Sequence, residues 1–135
     1  MPILLPLFPI IGPSRTELSD AQAAALAHCK ASFSGNAYVN NQSGDAIIVT
    51  AKGLKHTLHG AMPARIRACY VLPQILENAE QTGVLPDKRG RPDIPYVHKY
   101  EIEVLDGATL LIALVVAFQH RTGQIIFYDL SFLQR

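Results

Sequence analysis

Tyr96-Val97-His98-Lys99-Tyr100-Glu101-Ile102-Glu103-Val104-Leu105 is followed by Asp106-Gly107 and by a second run, Thr109-Leu110-Leu111-Ile112-Ala113-Leu114-Val115-Val116-Ala117-Phe118-Gln119. The first run alternates. His98, Tyr100, Ile102 and Val104 share one face, and Val97, Lys99, Glu101 and Glu103 the other, as in a half-buried strand. Asp-Gly between two such runs is a tight hairpin signal. The second run is apolar throughout residues 110–118, too short to span a bilayer and suited to a buried central strand. Arg121-Thr122-Gly123 marks another turn, and residues 124–130, with Ile126-Phe127-Tyr128-Asp129, give a third strand. An antiparallel three-strand meander is therefore expected at the end of the chain.

Upstream, residues 1–13 are apolar but carry Pro2, Pro6, Pro9 and Pro13. The prolines exclude a helix and leave an extended arm capable of edge pairing at most. The arm lacks the basic start of a secretory signal. Its apolar side chains should pack on the body of the domain or on a second subunit. Residues 14–19 read as a linker, after which Ser19 or Asp20 caps an alanine-rich helix to about Phe33. Short strands are expected at 37–40 and 45–50 around the turn Asn41-Gln42-Ser43-Gly44. A short helix follows over 52–60. A longer one spans 63–81, kinked or split at Pro73 and ended by Gly83. Residues 86–93 form an exposed basic loop. Helices followed by a meander argue an α+β fold, with N-terminal helices packed on an antiparallel sheet. The expected organisation is an arm and linker over 1–18 and one α+β domain over 19–135.

The chain has 135 residues, 49% hydrophobic and 17% charged, enough for one core and too apolar for disorder. Net charge is +1, but residues 52–99 hold eight Lys/Arg against four Asp/Glu, giving +4, so the remainder carries −3. A basic middle can form an anion-binding face. Two cysteines, Cys29 and Cys69, make neither a disulfide framework nor a zinc site and suit a reducing cytoplasm. No membrane association is expected.

Two clusters carry the chemistry. The helix over 52–60 would present Lys52, Lys55, His56 and His59 on one face, with Leu54 and Leu58 inward. A lysine beside an imidazole suits phosphate chemistry, the cation on the non-bridging oxygens and the ring moving a proton; a plain polar helix face has the same composition. His98 points toward the core near the start of its strand, as either a proton-transferring group or a structural histidine. Arg89 and Arg91, in Lys88-Arg89-Gly90-Arg91, suit sequence-independent contacts to a phosphate backbone. His56 and His59 are three apart with no glutamate between them, so no metal site is expected. There is no nucleoside-triphosphate or dinucleotide glycine motif and no nucleophile elbow, and no cofactor is expected.

Gly53-Leu54-Lys55-His56, Leu76-Glu77-Asn78-Ala79, Pro86-Asp87, His98-Lys99-Tyr100 and Phe127-Tyr128-Asp129, in this order and spacing, resemble the large polyvalent-protein-associated domains of phage and mobile-element proteins. The pattern is similar to the branch allied to the barnase–EndoU–colicin–RelE nuclease fold, and it covers about residues 47–130. The resemblance implies a metal-independent endoribonuclease of phage or toxin type. Carried onto this chain, it implies His56 as base on the ribose 2′-hydroxyl, His98 as acid to the leaving 5′-oxygen, Lys55 stabilising the phosphorane and Tyr128 orienting the phosphate. The two histidines could exchange roles. Lys52, His59, Arg89 and Arg91 would bind the RNA. The alternative is a non-catalytic interaction module of a mobile-element protein, using the arm as a contact to a partner or to a second copy.

Overall fold

A computed structural model describes residues 2–133. Its elements run β1 (Ile3–Leu4), α1 (Arg15–Phe33), β2 (Ala37–Val39), β3 (Ala46–Ile48), α2 (Ala51–Leu58), α3 (Pro63–Cys69), α4 (Leu72–Asn78), β4 (Glu80–Pro86), β5 (Tyr96–Asp106), β6 (Thr109–Gln119) and β7 (Ile125–Phe132). The fold is α+β. Strands β5, β6 and β7 form the expected antiparallel meander, with β5 and β6 paired from Tyr96↔Gln119 to Asp106↔Thr109.

The meander is the centre of a mixed sheet of order β1-β5-β6-β7-β3-β2, with β4 also beside β5. An antiparallel sheet is expected from the sequence, but two of the pairings are parallel. Ile3 pairs with Val104 in a parallel β1–β5 contact, and Ile47 pairs with Ile125 in a parallel β3–β7 contact. Both pairs are joined by long connections, which parallel pairing requires. The arm thus docks through β1, and Leu5 is buried, whereas Leu7 and Ile10 are 84% and 94% exposed.

One sheet face is the core. The parity predicted for β5 holds, with His98, Tyr100 and Val104 buried. Ala113, Val115 and Ala117 of β6 and Phe127 and Leu130 of β7 continue this face. Against them pack Ile47, Val49, Leu54, Ile66, Leu72, Ile75 and Leu76.

Helix boundaries differ from expectation at two places. Helix α1 begins at Arg15 rather than near Ser19. Ser14 accepts a hydrogen bond from the Glu17 backbone N–H at 3.1 Å and donates its hydroxyl to the Glu17 carboxylate at 2.9 Å, a cap written in the sequence as Ser-x-x-Glu. The helix expected over 63–81 is two helices and the start of a strand. Pro73 occupies the first turn of α4, where a missing N–H costs nothing, so the chain breaks at Tyr70–Val71. Helix α4 then stops at Asn78, because the buried Asn40 amide donates to Leu76 O and Ala79 O at 2.8 and 2.7 Å and the Asn41 N–H donates to Glu77 O. Gly83 lies inside β4, which pairs with β5 from Glu80↔Glu101 to Pro86↔Tyr96.

Two features of β7 position the candidate site. Along β7, strand β3 pairs only with Ile125 and Ile126, so α2 packs beside β7 beyond them. Thr50 caps α2, accepting from the Gly53 N–H at 3.2 Å. Gly53 then lies so close to β7 that a methyl group there would collide with the Phe127 carbonyl oxygen. Second, the β6–β7 register slips: Ala117 faces Phe127, while Val116 faces Asp129. Tyr128 is the extra residue of a bulge, a device that redirects side chains.

Gly53→Ala should destabilise the fold by about 2 kcal/mol, the scale of forced overpacking, read as a lower urea midpoint at unchanged slope. A midpoint equal to that of the wild type would mean that α2 does not approach β7 this closely.

Candidate functional site

On the sheet face opposite the core, α2, the end of β6, the start of β7 and the 87–95 loop enclose a cleft of about 290 Å3. Lys52 and Gly53 come from α2, Arg91 and Ile94 from the loop, Phe118 and Tyr128 from the sheet, and His120 from the residue just after β6.

A continuous stack runs along this cleft. The Arg91 guanidinium lies 4.5 Å from the Phe118 ring centre. Phe118 stacks on Tyr128 and Tyr128 on His56, each with centroids 4.2 Å apart and planes inclined by 26°. Arg91 is held from behind by Asp87, its Nε and Nη2 donating to the two carboxylate oxygens at 2.9 and 3.0 Å. At the other end, His56 Nε2 is 3.7 Å from Asp129 Oδ1, which also accepts from the Thr57 hydroxyl at 3.5 Å. The His56 side chain is 45% exposed, so its ring is supported on one side and open to solvent.

The electrostatics of the loop follow from the clasp. The Arg91 hydrogen bonds, aided by the Arg91 and Arg89 backbone N–H groups, hold the Asp87 carboxyl well below the usual range. The same hydrogen bonds raise Arg91 above its already high value.

His98 belongs to a different construction. Its cross-strand partner is Ala117, which in turn faces Phe127, so its ring shares the core face and is 6% exposed. The Gln81 side-chain N–H donates to His98 Nδ1 at 2.9 Å, which leaves the proton on Nε2, donating to Gln119 Oε1 at 2.7 Å. Asp45 Oδ2 lies 3.6 Å from Nδ1 and accepts from the Tyr100 and Ser43 hydroxyls at 2.7 and 2.9 Å. Burial, followed by the hydrogen bond to Asp45 and its charge, pushes the Tyr100 hydroxyl well above its ordinary pKa, so it stays protonated and donates. His98 is therefore a satisfied core histidine, with both ring nitrogens occupied.

The expected meeting of His56 and His98 does not occur. Phe118 is adjacent to Ala117 on β6 and so points away from His98; Tyr128 and His56 stack on the Phe118 side. Parity along one strand places the two imidazoles on opposite sheet faces. The polar face of α2 is exposed as predicted, with Leu54 and Leu58 buried, but it borders two depressions. Lys52 lines the cleft and His56 stacks on its Tyr128 wall, whereas Lys55 and His59 border a shallow groove with Ser19, Gln22 and Leu26 of α1. Arg89 lies in a third depression beside Val97 and Lys99. Of the predicted residues, His56, Tyr128, Lys52 and Arg91 are brought together.

Phe118 and His120 line the cleft, and Asp129 faces His56 beside it, without having been predicted as site residues. His120 follows the central strand directly and precedes the turn at Arg121, a strand-end position that the sequence does mark. Asp129 reaches His56 only because of the bulge, which leaves no trace in the hydrophobic pattern. Among the described residues, no group of three or more His, Cys, Asp or Glu could hold a metal ion.

The family model of large polyvalent protein-associated domain 3 matches residues 16–128. An α+β domain with a cationic, aromatic-walled cleft on the outer face of its sheet is the class of protein seen here, and the chain belongs to the large polyvalent protein-associated domain 3 family. No curated protein and no solved structure matches the chain.

Because the folded Asp87 is held below its ordinary value of 3.8, the clasp stabilises the fold fully above that pH and loses its contribution as pH falls through and below it. The stability advantage of the wild type over Asp87→Asn, from urea midpoints, should therefore stay constant from neutral pH to about 4 and shrink below. An advantage that grows on acidification would contradict this.

Proposed function

We propose that this domain is a metal-independent endoribonuclease of a phage or mobile-element protein, working in the cytoplasm at the cleft between α2 and the β6–β7 ends. The observation that carries this reading is the His56 ring, stacked on Tyr128, facing Asp129 and open to solvent beside Lys52. Aromatic and cationic side chains at one cleft also suit a single-stranded polyanion.

In the reaction, His56 takes the proton of the ribose 2′-hydroxyl, with Asp129 stabilising the imidazolium that forms. The 2′-oxygen bonds to the adjacent phosphorus and the bond to the 5′-oxygen breaks, leaving a 2′,3′-cyclic phosphate. His120 takes the acid role first assigned to His98 and delivers a proton to the departing 5′-oxygen. Lys52 stabilises charge on the non-bridging oxygens. Lys55 and His59, which border the separate groove against α1, contact a neighbouring phosphate rather than the reacting one. Arg89, in its separate depression, adds at most salt-sensitive attraction.

A second reading has its own observation. Leu4, Leu7, Phe8 and Ile10 are 59–94% exposed and cluster in one short segment. Exposed apolar clusters mark interaction surfaces. In this reading the arm contacts a partner or a second copy, whether or not the cleft is active.

His56→Ala should lower cleavage of a single-stranded RNA by about 100- to 10,000-fold, the contribution typical of a positioned acid–base group, while His98→Gln should act mainly on stability. Unchanged cleavage by His56→Ala would remove the nuclease reading. Leu7→Glu with Ile10→Glu should lower any self-association in sedimentation. A sedimentation coefficient unaltered by both changes would argue against an arm-mediated dimer.

A further inference from the structure

The stack that walls the cleft has an order of dependence. His56 has one ring face on Tyr128, and the opposite face of Tyr128 is covered by Phe118. Arg91 covers the remaining face of Phe118, and the planar guanidinium is locked in that plane by the two-point Asp87 clasp. The Asp87 carboxylate is fixed in turn by the Arg91 backbone N–H, which donates to Oδ2 at 3.0 Å. Each plane is thus sandwiched, from a loop carboxylate to an imidazole on a helix distant in sequence. A guanidinium is suited to this position because it can stack and make a two-point hydrogen bond at once, which an ammonium cannot.

We propose that Arg91, held by Asp87, is a positioning residue for the His56 imidazole, acting through Phe118 and Tyr128. The catalytic significance of this role rests on the RNA-cleaving reading above, but the positioning itself does not. The 87–95 loop is then part of the site without touching the reacting atoms. Asp129 alone does not fix the ring, since its oxygen is 3.7 Å away; the stack supplies the second constraint.

The test reads the His56 ring directly. Stacking on an aromatic ring shifts the imidazole proton resonances upfield, and no RNA is needed to see it. Arg91→Ala and Phe118→Ala should move the His56 resonances downfield, toward those of the exposed His59. Phe118→Tyr, which keeps a stacking ring, should retain the wild-type position. Lys88→Ala, in the same loop, should leave it unchanged. Arg91→Lys should fail to restore it fully. Cleavage by Arg91→Ala should fall roughly 10- to 100-fold, as expected for a misplaced catalytic group. His56 resonances unmoved in a folded Arg91→Ala overturn the proposal, whatever Phe118→Ala does. If Arg91→Ala does not fold, Asp87→Asn, which preserves volume, decides: a downfield move supports the role and no move overturns it. A ring that responds in a wild type that cuts no RNA removes the nuclease reading and leaves the positioning role. Cleavage with an unresponsive ring does the reverse.

Discussion

The contact between Gly53 and the main chain of β7 is the constraint on which the site depends. A helix can lie against a strand backbone only where it presents no side chain, and at Gly53 even a methyl group would strike the Phe127 carbonyl. With α2 at that distance, Leu54 and Leu58 enter the core and Thr57 reaches Asp129. His56 is carried over the sheet edge onto Tyr128. A helix held further out would leave the same residues on the same polar face, but with no ring to stack on and no carboxylate to face.

The bulge in β7 supplies the complementary half. Without the extra residue, strict alternation along the strand would govern which face Tyr128 and Asp129 occupy relative to Phe127. Slipping the register by one residue lets Phe127 and Leu130 both remain in the core while Tyr128 and Asp129 are available near α2. The two sheet faces then serve different ends. The core face holds His98 in a satisfied network with Gln81, Gln119 and Asp45, where its ring has no free nitrogen. The outer face holds His56 half open to water. Two histidines singled out in the sequence have opposite environments, and only one retains the access that chemistry needs.

What the sequence makes legible follows from what is local. The meander is readable because alternation, an Asp-Gly turn and an apolar run are properties of neighbouring residues. The α2 polar face is readable for the same reason. Strand β4 is not, because its pairing depends on Asn40, far back in the chain, terminating α4 at the carbonyls of Leu76 and Ala79; locally, residues 63–81 read as helix. The start of α1 is a different case, since Ser14 and Glu17 spell a cap that the linker reading passes over. At the site, the parity that correctly turns His98 inward is the same fact that separates it from His56. Proximity of the two clusters is a matter of sheet face and bulge, and spacing alone does not encode either.

The placement of β1 has a consequence for the order in which the molecule assembles. Ile3 pairs with Val104, so the arm closes a loop running from residue 3 to residue 104, while β5 and β6 are joined by a two-residue turn. Loop-closure entropy makes the hairpin an early event and the arm a late one, added to an edge that must already exist. Contacts formed after the rate-limiting barrier govern how slowly a protein comes apart rather than how quickly it assembles. The two residues of β1 and the buried Leu5 are therefore expected to act as a latch on the finished sheet, lengthening the lifetime of the native state.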